Sequence, residues 1–514
     1  LCQLAREMNL ILAIDSIVVW MWKIWSATKM TSKVGLVSLP FAGGYYRSKS
    51  RAFNDKRLIN WYVNYPDDPG INEYQLLSCP GIDDVEYYFS PGANIRGACV
   101  MNGKLFFVVG NRVDVIDYVG GVLTGNEVTN FPNFIGGTGR VVMAAIKNQL
   151  VIVAPGVGGY HYTDGVGFVV PITSPNFLIA DSVVAIDSYF VFSQTGTNVI
   201  FSSALNDGLT YAALDSYIVS QMQTVVGLIV YRNQLYVLGD KLIIPFSNAA
   251  QLQFAFRPIP NAAIDNGVET NYLSLNIRAG FVFVGRSINS ALSIWLYSSG
   301  LPVKIATPPI ESLLNQCTDL EIENAFLMQY TEPGTECVTI TFDSGGTGYC
   351  FVYDLRASAK SGKPEWHERR DFIGGADIRW GVIYIINCFR KNLVFRSSAL
   401  GVMNDSIGTE FGSPVRRVLN TQPYSMMGAN TKVSSLEIYT DVGVDDNAPI
   451  TISWSDDGGF NYGNKLSLPT GATGEYNTRL IWTGLGGFSR QRMLQIEYTG
   501  EYPRSINKIM ANIQ

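Results

Sequence analysis

Histidine is almost missing from this sequence. His161 and His367 are the two present in 514 residues, so zinc sites and histidine-based acid–base pairs have little material to work with. Cysteine is sparse as well. The seven (Cys2, Cys79, Cys99, Cys317, Cys337, Cys350, Cys388) are odd in number and show no CxxC spacing, which indicates neither a zinc site nor a disulfide framework. Buried thiols made in a reducing cytoplasm are the simple reading. Charged residues make up 16% of the chain, with a formal net charge of −5 and a pI near 5.3. A protein that grips nucleic acid usually shows a basic face, because phosphate neutralisation supplies much of its affinity. A weakly acidic surface instead suits a wall past which DNA slides without sticking. No P-loop, GxSxG elbow, HExxH or GxGxxG occurs, and no catalytic, cofactor-binding or metal-binding residue is assigned.

A long apolar run is missing too. Leu10–Trp25 carries Asp15 and Lys23 and spans about 16 residues, short of the roughly 20 needed to cross a bilayer. It also lacks the charged start and small-residue exit of a secretion signal. Residues 1–29 are therefore read as an apolar extension ahead of a true start near Met30, with a helix docking on a partner as the alternative.

What is present is a repeat. GACVMNGKLFFVVGNRVDVID (Gly97–Asp117) is followed by related stretches from Val141, Ser182 and Val225, and by looser ones from Tyr272, Ile322 and Asp377. Their starts lie roughly 40 to 55 residues apart, the size of a four-stranded propeller blade. One blade cannot bury both faces of its sheet, so blades must pack radially around an axis. Turns such as Asn102-Gly103 supply the positive φ that tight hairpins need. The expected fold is all-β: a propeller of six or seven blades over 96–403, the count left open because the copy near Asp377 either completes an earlier blade or forms its own. Glu332–Glu336 and Ala357–Pro364 are read as exposed loops within it.

The flanking segments do not repeat. Residues 30–95 hold two strand-like runs, Leu58–Val63 and Tyr74–Leu77, and residues 404–514 hold four more, from LEIYTDVG to RQRMLQIEYTG. Together they are expected to build a β-sandwich platform, with Val444–Pro449 as an exposed loop.

Two features invite a functional reading. Ser455, Asp457, Gly459 and Tyr462 fit the S-x-D-x-G-x-x-aromatic pattern of an Asp-box, in which a short carboxylate caps turn amides over a packed aromatic. Such boxes occur in sialidases, so a carbohydrate-active or glycan-binding propeller is the alternative function. There is one box, however, outside the repeats, and a structural turn is the leading interpretation. The basic residues Arg47, Arg51 and Arg57 near the start, and Arg490 and Arg492 near the end, are candidate partner-facing positions; the early cluster alternates with aromatics, a mixture that also suits single-stranded nucleic acid.

RLINWYVN, Cys79-Pro80-Gly81 and NIRGACVMNGKLFFVVGN together resemble the opening of the packaged-DNA stabilisation proteins of short-tailed phages, the tail-hub or nozzle family. Asp187–Phe192 with Gly196-Thr197 and Phe201–Asp207 is similar to their central segment, and WSDDGG with LGGFSRQR to their C-terminal signature. The order of these matches carries the resemblance, since no one of them is diagnostic. It implies a non-enzymatic virion protein of the tail, made in the bacterial cytoplasm. Six copies would form a homohexameric ring below the portal and adaptor, with tail fibre, spike or needle proteins around or below it. Double-stranded DNA would pass through the lumen without sequence-specific binding, and the ring would help retain packaged genome and take part in ejection.

Overall fold

The computed structural model describes residues 35–41, 43–88, 93–127, 134–166, 168–287, 289–332, 334–397, 399–425, 430–444 and 447–513. The apolar extension 1–29 lies outside them, as do two residues of the Val444–Pro449 loop.

The repeats fold as seven antiparallel four-stranded blades. Their innermost strands are Ile95–Met101, Val142–Ile146, Ala180–Ile186, Val225–Tyr231, Ser274–Ile277, Phe326–Glu332 and Val382–Cys388. Each contacts the next in chain order, and the seventh returns to the first. The copy near Asp377 is thus a blade of its own, starting at Val382 after a separate hairpin, Arg370–Ile373 with Ala376–Arg379. Apolar side chains fill every gap between neighbouring blades. At the closing gap, Phe107 of the first blade meets Phe395 of the seventh, ring centres 5.2 Å apart. Burying both faces of each sheet in this way supplies the main stabilisation, roughly 1.5–3 kcal/mol per large apolar side chain.

The seventh blade borrows its outer strand. Gly81–Tyr88 pairs antiparallel with Ala399–Asn404, so residues 81–88 belong to the propeller rather than to the platform expected over 30–95. A strand from before the first blade thereby latches the ring shut and leaves no long open seam for another chain to pair with.

The platform is a sandwich. One sheet runs Gly35–Ser38, Lys508–Ile513, Thr431–Tyr439, Leu480–Thr483; the other contains Asp55–Ile59, Ser413–Asn420, Met493–Gly500, Ile450–Ser455 and Leu466–Leu468. Leu58, Trp61 and Leu76 from the start of the chain share one core with Leu436, Ile452, Trp482 and Ile496 from its end. The second sheet is continuous with the sixth blade, where Ile59 pairs in parallel with Glu368 of the outer strand Trp366–Glu368.

Three local expectations change. Leu58–Val63 is two strands, Asp55–Ile59 and Trp61–Asn64, because Asn60 takes φ 57°, a conformation Asn tolerates better than most residues. Ala357–Pro364 is mostly helix, Leu355–Ser361. Asp354 accepts a hydrogen bond from Ala357 N at its start, and Gly362 at φ 70° ends it. Between Phe326–Glu332 and Thr335–Ser344 the strands pair up to Glu332 and Thr335, so a short hairpin replaces the expected loop.

Candidate functional site

The Asp-box-like turn closes on itself. Ser455 Oγ donates to Asp457 Oδ1 at 2.6 Å and accepts from Gly459 N at 2.9 Å. Asp457 Oδ1 also accepts from the amides of Phe460 and Asn461, both at 3.0 Å, and Oδ2 accepts from Asn461 Nδ2 at 2.7 Å. These bonds, Ser455 first and then Asn461, hold the Asp457 carboxyl well below the usual carboxylate range. Burial, followed by the nearby Asp55, pushes the Tyr462 hydroxyl up to about 12. A carboxylate so saturated by its own turn has little left for catalysis; it is a local staple.

The five arginines separate into two kinds. Arg57 makes a fork to Glu368, Nε to Oε1 and Nη2 to Oε2, both at 2.8 Å. Arg492, 2% exposed, makes the same fork to Asp456 at 2.7 and 2.8 Å and donates Nη1 to Leu485 O at 2.7 Å. It also lies against the rings of Trp454 and Phe488. The sequence makes both candidates for a partner surface, and in the fold both are occupied inside the chain. The bidentate fork that makes arginine a good partner-binding residue serves equally well between two strands of one molecule.

Arg47 pairs with buried Asp55 at 2.7 Å while remaining partly exposed. Arg51 lies 4.9 Å over the exposed Phe460 ring. Arg490 is exposed beside Lys432, Gly487 and Asp456 on an open cavity of about 570 Å³. Ala52 and Gln491 both approach Gly458, which brings the two basic segments onto one corner of the platform.

The cavity among the innermost strands is chemically quiet. It measures about 460 Å³ and is lined by inner-strand residues such as Val142, Met143, Ala185, Leu228, Asn276 and Gln329, and none of its lining side chains is acidic or basic. A glycosidase centre needs two carboxylates across a bond, and none lines this cavity.

Charge is concentrated instead at the seam between platform and propeller. Glu368, fully buried, accepts from Arg57 and from Arg370 Nε at 2.5 Å. Burial alone would raise its carboxyl, but the two guanidiniums outweigh that and hold it at about 2. Arg369 Nη2 donates to Glu410 at 2.6 Å and to Pro80 O at 3.1 Å, and Trp380 Nε1 also donates to Glu410. Arg416 Nη1 reaches Asp377 at 2.5 Å. Asn60 Nδ2 donates to Arg370 O and Arg416 O at 2.9 and 2.8 Å.

A cavity of about 350 Å³ at the seam is lined by Tyr62, Asp67, Glu332, Asp354, Arg356 and Asp405, among others. Burial, then the neighbouring Asp354, raises the Glu332 carboxyl to about 7. Sequence reasoning missed both networks. Their members come from segments some three hundred residues apart, and the one local hint, Glu368-Arg369-Arg370, reads like any polar strand end.

Two family profiles match the chain: the one described as bacteriophage P22 Gp10, beta-propeller, over residues 37–407, and the one described as bacteriophage P22 Gp10, beta-sandwich, over residues 416–514. Among curated proteins, the tail hub protein gp10 of Salmonella phage P22 is 21% identical over 314 residues, which cover 59% of this chain and 63% of that protein. The match thus spans just under two thirds of the relative's length. Among solved structures, the chain is similar to the extracellular domain of the hybrid two component system BT4673 from B. thetaiotaomicron, with 10% identity, 72% of this chain and 45% of that one covered and a TM-score of 0.42. It is also similar to the C-terminal WD40 domain of Sif2, with 11% identity, 63% and 98% covered and a TM-score of 0.36.

Proposed function

We propose that this chain, which belongs to the family of bacteriophage P22 Gp10, is a structural tail-hub subunit of a phage particle. The carrying observation is that the propeller and sandwich profiles of that family match in order over nearly the whole described chain. The axial cavity, where a propeller enzyme would place its acids and bases, is lined by apolar, amide and hydroxyl side chains, which supports a non-enzymatic reading over a glycosidase.

In this reading six copies form a ring below the portal and adaptor, extend the DNA channel, help retain the packaged genome and take part in its ejection. Fibre, spike or needle proteins attach around or below the ring. Head-to-tail contacts close such a ring when the rotation between copies permits. A net charge of −5 keeps phosphate contacts few, and each contact avoided lessens the drag on moving DNA. The sandwich built from residues 35–78 and 413–513 is the ring-forming platform, and the propeller projects from it.

Cryo-EM of particles carrying this protein tests the proposal. A six-fold ring with the sandwich near the channel is expected. Absence of the polypeptide from purified particles, or turnover of a fluorogenic glycoside by the purified chain, would overturn it.

A further inference from the structure

Two turns of each blade come to the same face of the propeller. One joins the first and second strands near the axis, and the other joins the third and fourth at the outer rim. Hydrogen bonds tie the two sets together: Asn102 Nδ2 donates to Asp164 Oδ2 at 3.1 Å, and Asn206 N to Ser188 O at 2.8 Å. From the first blade to the fifth, the outer turns expose large apolar side chains. Val119 and Val122 flank Gly120-Gly121, and Phe168, Leu214, Leu252 and Leu301 follow, one to a blade. Leu252 and Leu301 project furthest, 104% and 83% exposed. On the opposite face, the turns between second and third strands expose one large apolar side chain among the described residues, Val157.

The arc stops where the platform begins. The connection of the sixth blade is the helix Leu355–Ser361, ion-paired through Arg356 and Lys360 to Asp67, and the seventh blade is completed by Gly81–Tyr88. Monomer surfaces seldom leave so many large apolar side chains together without a use for them.

Charge on this face takes no single sign. The inner turns carry Lys147, Arg232, Arg278 and Arg390. Against them stand Asp164, Asp187, Asp207 and Asp215, and Glu332 and Glu336 flank the inner turn of the sixth blade, where Glu336 accepts from the Arg278 amide. Lys104 pairs with Asp117, and Lys391 lies over the Tyr118 ring. The five outer connections themselves, 120–121, 164–168, 203–215, 249–255 and 298–302, hold no lysine or arginine.

We infer that this arc is a lipid-contact surface: the apolar tips of the first five blades dip into one leaflet of a bilayer while their turn backbones stay among zwitterionic headgroups. Backbone donors and acceptors cannot enter hydrocarbon unpaired, so the contact is shallow, as for other interfacial anchors. The cations of the inner turns meet headgroup phosphates, and the aspartates meet headgroup ammonium groups. The composition sets a protein partner aside. Protein interfaces centre on contiguous aromatic and arginine anchors, whereas these are separate, mostly aliphatic tips without a cation in their own turns. A fluid partner also accommodates connections as different in length as Gly120-Gly121 and residues 203–215, which a rigid surface would have to match one by one. The inference concerns the single chain and does not depend on ring formation.

The test is flotation of the full-length chain with vesicles of phosphatidylcholine and phosphatidylethanolamine, with and without phosphatidylglycerol. The chain should float with the zwitterionic vesicles, and neither phosphatidylglycerol nor salt should raise the bound fraction. Leu252→Asp with Leu301→Asp should lower that fraction about tenfold or more, because two buried leucines are lost from the contact. Leu320→Asp, exposed outside these turns, should leave it unchanged. The apolar run Leu10–Trp25 is present in every arm, so a difference between variants belongs to the turns. Circular dichroism checks folding; should the double variant unfold, Leu252→Trp supplies the second readout, an added tryptophan quenched by brominated lipid beyond the wild-type level.

Equal flotation of the folded double variant would overturn the inference, as would flotation with phosphatidylglycerol vesicles alone or no flotation of the wild type. A double variant that loses an oligomer seen for the wild type by native mass spectrometry without lipid would assign the arc to a second copy, and overturn it too. Each of these outcomes leaves the tail-hub reading standing.

Discussion

Replacing Glu368 by Gln tests how the platform is held to the propeller. The carboxylate is buried between Arg57 and Arg370, with three hydrogen bonds of 2.5 to 2.8 Å. Its carboxyl sits at about 2 instead of the ordinary 4.5, and at about 1.36 kcal/mol per pH unit this amounts to roughly 3 kcal/mol of stability at neutral pH. Breaking a buried ion pair from one side generally costs about 3–5 kcal/mol, so the two routes agree. The folded value is depressed, so this contribution is fully present above pH 4.5 and is lost as pH falls toward 2. At about 2.1 cal/mol/K per residue, such a loss spread over the whole chain lowers Tm by about 3 °C, and by more if the platform unfolds as its own unit. Calorimetry of Glu368→Gln at pH 7 and at pH 3 is the assay. The expected result is a clear deficit at pH 7 that shrinks markedly at pH 3. A variant that melts with the wild type at pH 7 would refute the claim that this seam carries the junction.

Glu332 should show the opposite sign. Its folded carboxyl lies near 7 and its ordinary value at 4.5, so the protonated form is favoured on folding, and that benefit fades as pH rises from 4.5 through 7. Glu332→Gln should therefore be more stable than wild type at pH 8 and nearly equal to it at pH 4.5, as read from urea midpoints. Asn60→Ala loses three side-chain hydrogen bonds, two donated to Arg370 O and Arg416 O and one accepted from Arg370 N, and strains a backbone at φ 57°, an expected cost of about 2–4 kcal/mol in chemical denaturation. Asn60→Gly relieves the strain and should recover part of that loss; equal damage from both would show that the backbone angle contributes nothing. Arg492→Ala removes a guanidinium that joins Asp456, Leu485 O and two aromatic rings, and should cost about 2–4 kcal/mol. If hydrogen exchange near residues 485–492 is no faster in that variant, Arg492 is not the clamp described here.

Much of the architecture was legible in the linear order of residues. Blades are local objects: each strand pairs with the next in sequence, and dipeptides such as Asn102-Gly103, with φ of 52° and 75°, mark the reversals. The period-two runs near the C-terminus likewise became strands at Ile450–Ser455, Leu480–Thr483 and Met493–Gly500. The turn at Ser455–Tyr462 was readable for the same reason, since its donors and acceptors lie within five residues of one another.

Tertiary structure decided everything that joins distant segments. Periodicity cannot say whether a seventh set of strands stands alone, because that depends on Gly81–Tyr88 arriving from before the first blade to complete it. Nor can it separate Arg57 and Arg492 from Arg51 and Arg490, since a guanidinium becomes a clamp or a contact according to whether a carboxylate from another strand reaches it. The sequence by itself determined the local pairing and where the charge lies along the chain. Only the closed fold determined which residues share the seam between platform and propeller, because pairs such as Arg57 with Glu368 and Gly81–Tyr88 with Ala399–Asn404 join segments some three hundred residues apart and have no counterpart in residue order.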